Sequence, residues 1–418
     1  MQSRALLPLL ACLFLAGCEI PTQTYWSPDG SKAAHVAPSN PNSPAMLIND
    51  AGAIVANLGQ SIGGFAWSAD SNRLYFANTG CNPNANTGFE TQGAWLNAAE
   101  ADDDTPPDNN EKTGLTVSVW QDGKTTPLFW IDRGAASYLA LSPDQNWIAL
   151  VSTSATGRDS DTSVLHLYSI ASKRLYPLCV GCTRGICFTG PNRLAFIEPH
   201  DVHKGKPSDI GQLVEVTLLD KPDKPDRQPL LEVLLPVTTW LQAAGQDILF
   251  TSVAFTFPAP PPKEGSDLPH SLFRYSRAQK TAKPLATDVL EYFSISPDGK
   301  RVLLATPIRA ANDAHPTQLA VMELASGALH PLRNLASTVK LPPNSQFTGI
   351  PAYPAWRNND QISFSAAIDP KAPSIEQGNR FYFDLVLYQL TADYKLTALR
   401  TLSEKWPLES KPSFRKDN

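Results

Sequence analysis

Three cysteines and two histidines form the group of residues best suited to metal or redox chemistry. Cys179, Cys182 and Cys187 are spaced Cys-x2-Cys-x4-Cys, and His200 and His203 follow. Zinc prefers thiolate and imidazole ligands, but this spacing is not one of the standard zinc-binding sets. Cys179 and Cys182 also have the spacing of a redox-active dithiol, although no strand–helix–strand pattern surrounds them as in thioredoxin-like proteins. We therefore expect no metal here, and the redox alternative stays open.

An acidic stretch offers hard oxygen ligands of the kind that calcium binds. Asp102, Asp103 and Asp104 are consecutive, and Asp108 and Glu111 follow them. The stretch lacks the spacing and the glycine of an EF-hand loop. Runs of acidic residues usually lie in solvated loops. We expect such a loop, and the sequence leaves open whether it binds calcium.

The motifs of several catalytic classes are absent from the sequence. It has no Walker loop, no dinucleotide-binding fingerprint and no His-Glu-x-x-His. The net charge is −5, so no basic excess exists to neutralise nucleic-acid phosphates. The sequence therefore predicts a protein without a cofactor that binds no nucleic acid and is not an enzyme.

The N-terminus has the pattern of an export signal. Residues 1–17 carry one Arg and no acidic residue, and an apolar run extends from Ala5 to Leu15. The run is shorter than the roughly 20 residues that a helix needs to span a bilayer. A short basic start, an apolar run and small residues at its end indicate a cleaved signal peptide over 1–17.

The end of that signal resembles the lipobox of bacterial lipoproteins. The chain reads Leu-Ala-Gly-Cys up to Cys18, and Glu19 follows. The resemblance implies that cleavage precedes Cys18, that this cysteine carries the lipid, and that 18–24 is a linker. It also implies the outer membrane, facing the periplasm, because in that family an Asp at the position of Glu19 retains the protein in the inner membrane. Two or more acyl chains would anchor the protein stably.

A pattern of two short strands around a tight turn recurs seven times along the rest of the chain. Its clearest copy runs from Phe293 to Ala305 and reads FSISPDGKRVLLA. Ser-Pro-Asp-Gly is a turn signal between two apolar strands. The first apolar residues of the seven second strands are Ala33, Leu74, Ile148, Leu194, Ile248, Val302 and Ile362. Most of their spacings match the size of a four-stranded propeller blade.

Each repeat also contains two further strands of period two around a polar turn. The seven segments are Met46–Leu58, Leu115–Leu128, Leu165–Leu178, Leu213–Leu234, Leu272–Leu285, Leu319–Leu332 and Leu385–Leu399. The high proline count, 37 against 24 glycines, also favours a turn-rich β protein. We therefore predict an all-β, seven-bladed β-propeller over 25–403 and a polar tail over 404–418. Six blades are the alternative if the fifth repeat is irregular.

With its Trp/Phe-Ser-Pro-Asp-Gly-Lys stretches, the repeat resembles the WD40-like repeats of TolB-type β-propellers. The resemblance covers about residues 25–403. It implies the fold but not one function, because such propellers serve many tasks. Since each repeat holds all four predicted strands in order, the ring is expected to close without sharing a blade between the termini.

The long links between strands all fall at two positions of the repeat, and both emerge on the same face of a four-stranded antiparallel blade. The largest link runs about from Asn78 to Gly114, within blade 2. Insertions in repeat proteins collect on the binding face. The residues that we expect on this partner face are Phe89, Trp95, Asp102, Asp103, Asp104 and Phe257.

Cys81, Cys179, Cys182 and Cys187 map to the same face. In an exported protein, four cysteines indicate up to two disulfides with three possible pairings. We expect them to staple the large link of blade 2.

Together the patterns predict a lipid-anchored, monomeric scaffold or assembly factor of the cell envelope that binds a protein or peptide. The alternative is a binder of sugar or metal, or a hydrolase or lyase, with its site at the mouth of the central channel.

Overall fold

The computed structural model describes 15 segments of the chain, and they contain strands but no helix. The segments are 23–36, 44–60, 62–81, 113–132, 134–154, 163–182, 185–199, 210–218, 225–234, 240–253, 270–289, 292–307, 317–332, 354–366 and 384–403. A helix long and apolar enough to cross a membrane is accordingly not found within them.

The strands form seven antiparallel sheets, and each sheet is built from four strands that are consecutive in the chain. Blades 1 to 4 contain β1 Gln23–Trp26, β2 Lys32–Val36, β3 Pro44–Asn49, β4 Ile54–Gln60; β5 Ile62–Trp67, β6 Arg73–Cys81, β7 Thr113–Gln121, β8 Lys124–Asp132; β9 Gly134–Leu141, β10 Trp147–Ser154, β11 Ser163–Ser169, β12 Arg174–Val180; β13 Ile186–Gly190, β14 Arg193–Pro199, β15 Ile210–Thr217 and β16 Asp226–Leu234.

The remaining twelve strands form blades 5 to 7 in the same order. They are β17 Leu241–Ala244, β18 Asp247–Val253, β19 His270–Ser276, β20 Thr281–Val289; β21 Phe293–Ile295, β22 Arg301–Pro307, β23 Thr317–Glu323, β24 Leu329–Pro331; β25 Ala355–Asn358, β26 Gln361–Ala366, β27 Asp384–Leu390 and β28 Leu396–Ser403. The first strand begins at Gln23, two residues before the predicted start of the propeller, and the last ends at the predicted residue 403.

The first strands of the blades lie next to one another around the axis, and β1 packs beside β25. The sheets therefore close into a seven-bladed β-propeller in which no blade combines strands from both termini. The predicted fold and blade count are confirmed. The first apolar residue of each predicted second strand is fully buried: Ala33, Leu74, Ile148, Leu194, Ile248, Val302 and Ile362.

The core is divided into seven apolar clusters, one in each gap between neighbouring blades. Between blades 7 and 1, Trp26, Ile48 and Leu387 pack together. Burial of this apolar surface, at about 25 cal/mol per Å², is the main force that holds one blade against the next. Closure of the ring therefore rests on side-chain packing between blades 7 and 1.

Polar contacts reinforce that closing gap. The Trp26 indole N–H donates to Ser363 Oγ at 2.8 Å. Arg357 donates from Nε to the carbonyl of Gly30 at 2.9 Å, and its guanidinium lies 5.4 Å from the Trp26 ring centroid. A buried indole N–H without an acceptor would cost free energy, so these bonds fix the register of blade 7 against blade 1.

Every blade has a leucine at a fixed place in or directly after its outermost strand, and in six blades it lies at an irregularity in the pairing with the third strand. These leucines are Leu58, Leu128, Leu178, Leu230, Leu285, Leu332 and Leu402. In five blades a proline precedes the leucine: Pro127, Pro177, Pro229, Pro284 and Pro331. Proline is accepted in edge strands, where its missing N–H faces away from the ladder.

The Ser-x-Asp turns between first and second strands have one repeated geometry. In the four clearest copies a serine hydroxyl donates to the aspartate two residues later at 2.6 Å. In blade 6, Ser296 Oγ also accepts the backbone N–H of Arg301 at 2.9 Å. Gly299 follows with a φ of 69°, in the region where glycine is favoured. The serine therefore closes the turn from inside, which explains why the motif recurs.

We expect Ser296→Ala to lower the free energy of unfolding by about 1–3 kcal/mol, because the partly buried Arg301 N–H loses its acceptor. Ser326→Ala is the matched control, since Ser326 accepts one backbone N–H in an exposed turn. Urea unfolding followed by tryptophan fluorescence measures both. Equal losses in the two variants would show that the Ser296 hydroxyl does not close its turn.

Candidate functional site

The strand order places two kinds of connection on opposite faces of the ring. Turns from first to second strands and from third to fourth strands lie on one face, here called the turn face. Links from second to third strands and from blade to blade lie on the other, the loop-rich face. The longest links between described strands belong to the loop-rich face: 82–112, 254–269, 333–353 and 367–383.

The large link of blade 2 is shorter than predicted, because β6 extends to Cys81 and β7 begins at Thr113.

Three aromatic residues meet where the inner strands begin at the loop-rich face. Trp240 and Tyr292 come directly before β17 and β21. Their ring centroids are 4.8 Å apart, and Tyr138 of β9 contacts Trp240 edge-on at 5.5 Å. Tyr138 belongs to blade 3 and Trp240 to blade 5, so the group reaches past the inner strand of blade 4.

Bonds between blades 5 and 6 hold this aromatic group in place. The Trp240 indole N–H donates to the carbonyl of Phe293 at 3.0 Å. The Gln242 amide donates to the same carbonyl at 3.3 Å and accepts the N–H of Ile295 at 3.0 Å. Burial raises the pKa of Tyr138, so its phenol is neutral at physiological pH. The group therefore offers half-buried aromatic surface suited to an apolar side chain or a sugar ring.

Other tryptophans of the inner strands serve the ring itself. Trp67 donates to the carbonyl of Tyr25 at 2.8 Å, and Trp356 donates to the carbonyl of Ser294 at 3.0 Å. Each bond joins the inner strands of two neighbouring blades. These tryptophans are structural, whereas Trp240 combines such a bond with a place at the channel mouth.

The predicted partner-face residues fall outside the described segments. Phe89, Trp95, Asp102, Asp103 and Asp104 lie in the link 82–112, and Phe257 lies in the link 254–269. Cys18 and the signal 1–17 also lie outside, as does the tail 404–418. The strands at both ends of the two links do place those links on the loop-rich face. The role of these residues stays a prediction.

The cysteines occupy the loop-rich ends of blades 2 to 4, as predicted. Cys81 ends β6, and its side chain is outside the description. Cys179, Cys182 and Cys187 are buried, and all three are free thiols in the structure. Cys179 and Cys182 are neighbours, and the hydrogen bond between the two side chains, together with burial, raises the pKa of the Cys182 thiol. The predicted disulfides are therefore not formed among these three, and a bond to Cys81 stays a prediction.

Cys187 is expected to be chemically inert in the folded protein. Burial raises the pKa of its thiol to about 12, and only the thiolate reacts rapidly with alkylating agents. At pH 8 we expect no modification of Cys187 by iodoacetamide in the native state. Complete modification is expected in guanidinium chloride without a reductant. Peptide mass spectrometry measures both, and rapid native modification, or none after unfolding, would contradict the buried free thiol.

Sequence reasoning missed three buried or partly buried polar groups that lie on, or directly after, second and third strands. His35 Nδ1 is 3.0 Å from Thr24 Oγ1, and His166 Nε2 is 3.0 Å from Ser152 Oγ. Burial lowers the pKa of each histidine to about 4. Both histidines occur in apolar strand sequences, which is the only signal that they would be buried.

The third missed group is an ion pair between blades 4 and 5. Two guanidinium nitrogens of Arg277 each donate to a carboxylate oxygen of Glu215 at 2.5 Å. Thr189 also donates to Glu215, which is 5% exposed. Burial on its own raises the pKa of Glu215, but these bonds and the charge of Arg277 outweigh it and leave the pKa lowered. No spacing in the sequence relates residues 215 and 277, because the contact depends on the packing of two blades.

Across the described residues, no group of three His, Cys, Asp or Glu side chains is placed to hold a metal ion. His200 and His203 of the predicted thiol–imidazole set, and the acidic residues of the link 82–112, are outside the description.

Comparison with known proteins identifies the class by structure and not by sequence. No protein-family model matches the chain, and no curated protein matches it either. The oligogalacturonate lyase of Vibrio parahaemolyticus superposes with a TM-score of 0.54 over 90% of this chain and 92% of that chain, at 12% identity. An oligogalacturonate lyase in complex with manganese gives a TM-score of 0.51 over 82% and 85%, at 10% identity.

TolB from Acinetobacter baumannii is also a structural neighbour. The match covers 94% of this chain and 82% of TolB, at 13% identity and a TM-score of 0.42. Identities this low establish the fold alone. The chain is thus a seven-bladed β-propeller, with TolB and two lyases among the solved structures that it resembles.

Proposed function

We propose that the protein is a non-catalytic scaffold of the bacterial cell envelope that binds a protein or peptide through the loop-rich face. The observation that carries the proposal is the one-sided arrangement of the long links. A ring needs only short connections to close, and the turn face shows that this chain can form them. Long links gathered on one face are therefore best explained by binding.

The aromatic group at the channel mouth supports this assignment. Trp240, Tyr292 and Tyr138 lie at the loop-rich end of the inner strands, and Trp240 is fixed by its bond to Phe293. Preorganised aromatic surface lowers the entropic cost of binding, and aromatic residues are enriched at the centres of protein interfaces. An apolar side chain of the partner inserted at the mouth would give the links around it a central anchor.

Replacement of the link 82–112 tests the binding face. Cys81 and Thr113 are directly paired neighbours at the ends of β6 and β7, so a short Gly-Ser turn can replace the link without disturbing the sheet. The matched control carries Ala69→Lys, Pro143→Lys and Pro297→Lys, three exposed positions on the turn face. Both are used as bait in pull-downs from detergent-solubilised membranes.

We expect the link replacement to reduce recovery of the specific partner at least about tenfold, since a few central contacts dominate most interfaces. The control should recover it fully. Equal recovery with both baits, or loss with the control alone, would overturn the assignment of the loop-rich face.

The proposal also places the protein on a membrane through lipid at Cys18. Cells that express the chain should incorporate radiolabelled palmitate into it, and Cys18→Ser should abolish both the label and sedimentation with membranes. Two acyl chains give stable anchoring, so a partial effect is not expected. Labelling that persists in Cys18→Ser would place the lipid elsewhere and contradict the lipobox assignment.

The aromatic group also favours a second candidate function, binding of a small ligand at the channel mouth. Two of the matched structures are oligogalacturonate lyases, and a sugar ring can stack on Trp240 or Tyr292. Titration with an oligogalacturonate, followed by tryptophan fluorescence, separates the two candidates. Saturable quenching that is lost in Tyr292→Ala would favour the small ligand, whereas no change is expected for a protein-binding scaffold.

A further inference from the structure

We propose that the outer strand of blade 1, β4, pairs with β4 of a second copy of this chain to form a dimer with twofold symmetry. This proposal replaces the monomer expected from the sequence. An outermost strand has backbone N–H and C=O groups on its free side, and folded proteins usually protect such edges with charged residues or proline.

Six of the seven outer strands carry this protection. Five contain the Pro-Leu pair at the leucine position common to all blades, and the sixth, β28, contains Arg400. Strand β4 reads IVANLGQ and has neither proline nor a charged residue. Asn57 stands before Leu58, where five of the other six blades have proline.

The position of Asn57 shows which way its backbone points. Asn57 pairs with Met46, as Pro127 pairs with Ser118 in blade 2 and Pro177 with His166 in blade 3. Proline fits these positions because the N–H there faces away from the third strand. In blade 1 that direction holds a real N–H donor, available to a further strand.

The side chains of β4 are also apolar and exposed. Ile54 is 61% exposed and Val55 is 43% exposed. They are two of the four large apolar side chains that are exposed in the described residues, and they are adjacent on one strand; the others are Leu329 and Leu399. Strand addition would remove this surface from water and satisfy the free edge of the backbone in one step.

Charge and symmetry favour a second copy as the occupant. Strand β4 has no charged residue, so antiparallel pairing with its own copy places no charge across the interface, and each copy offers the same free backbone donors and acceptors to the other. Only one edge of each ring lacks protection, so association stops at two copies and does not extend into a fibre. The edge lies on the rim, so the loop-rich face stays accessible in the dimer.

Sedimentation of the purified full-length protein over a range of concentrations tests the proposal. A seven-residue edge buries less surface than a standard interface, so we expect a Kd on the order of 10–100 µM. Asn57→Pro recreates the Pro-Leu pair of the other blades, and Val55→Lys adds a charge. Each should raise the Kd at least about tenfold while the unfolding midpoint stays unchanged.

Thr125→Lys is the matched control, because Thr125 stands two residues before Pro127 as Val55 stands two residues before Asn57, and both are exposed. It should leave the Kd unchanged. A wild-type protein that stays monomeric at ten times the expected Kd would overturn the proposal. So would a dimer that persists in both Asn57→Pro and Val55→Lys.

Discussion

Acidification from pH 7 to pH 4 is expected to lower the stability of the protein steeply, and His35 and His166 are the main cause. In the unfolded chain each imidazole has its ordinary pKa of 6.5, whereas burial lowers the pKa in the folded protein to about 4. The folded state therefore binds fewer protons over this range. The stability is fully present above pH 6.5 and is lost as the pH falls toward 4.

The shift corresponds to about 3 kcal/mol for each histidine at pH 4, since one pKa unit is worth about 1.4 kcal/mol. His35 is fully buried and His166 is partly buried, so solvent screens the effect of His166 more than that of His35. Urea unfolding at a series of pH values measures it. The double variant His35→Gln, His166→Gln keeps polar side chains that do not titrate, and its stability should fall much less between pH 7 and pH 4.5. Parallel curves for the two proteins would show that these histidines do not carry the pH dependence.

Loss of the Glu215–Arg277 ion pair is the second large expected effect. Glu215→Ala is expected to lower the free energy of unfolding by about 3–5 kcal/mol, because the Arg277 guanidinium loses its two bonds in the gap between blades 4 and 5. Arg277→Met should cost a similar amount, because it leaves a buried carboxylate without its cation.

Since the pKa of Glu215 is lowered, the stability from this pair is present above pH 4.5 and is lost as the pH falls through the lowered value.

Two comparisons keep this prediction specific. The double variant Glu215→Leu, Arg277→Met should be more stable than either single variant, because it leaves no unpaired charge in the gap. Asp393→Asn breaks the exposed pair between Asp393 and Lys395 and should have no measurable effect. If Glu215→Ala were as mild as Asp393→Asn, the contact between blades 4 and 5 would differ from the one described.

The sequence predicts most of the fold because each blade repeats the same local rules. Ser296, Asp298 and Gly299 specify a tight turn, and alternating apolar residues specify the strands on either side. A residue such as Ile148 or Ile362 marks the second strand in any blade, and both are fully buried in the structure. Seven such units have one simple way to bury their faces, which is a closed ring.

The parts that escaped prediction arise between blades. Tyr138 and Trp240 are separated by more than a whole blade in sequence, and only the curvature of the ring brings their rings together. The same holds for Glu215 and Arg277. The exposed edge β4 is a different case, because its lack of proline is visible in the sequence once Leu58 and Leu128 are known to be equivalent. That equivalence rests on the pairing register, which the structure supplies.

Site-specific photo-crosslinking in living cells tests the central claim, that the loop-rich face binds the partner, most directly. A photoreactive phenylalanine analogue is placed at Trp95 and Phe257 in two links of the loop-rich face, and at Ala69, Pro143 and Pro297 on the turn face. We expect one discrete protein adduct from Trp95 or Phe257 and none from the three turn-face positions. Adducts from the turn face, with none from either link, would contradict it.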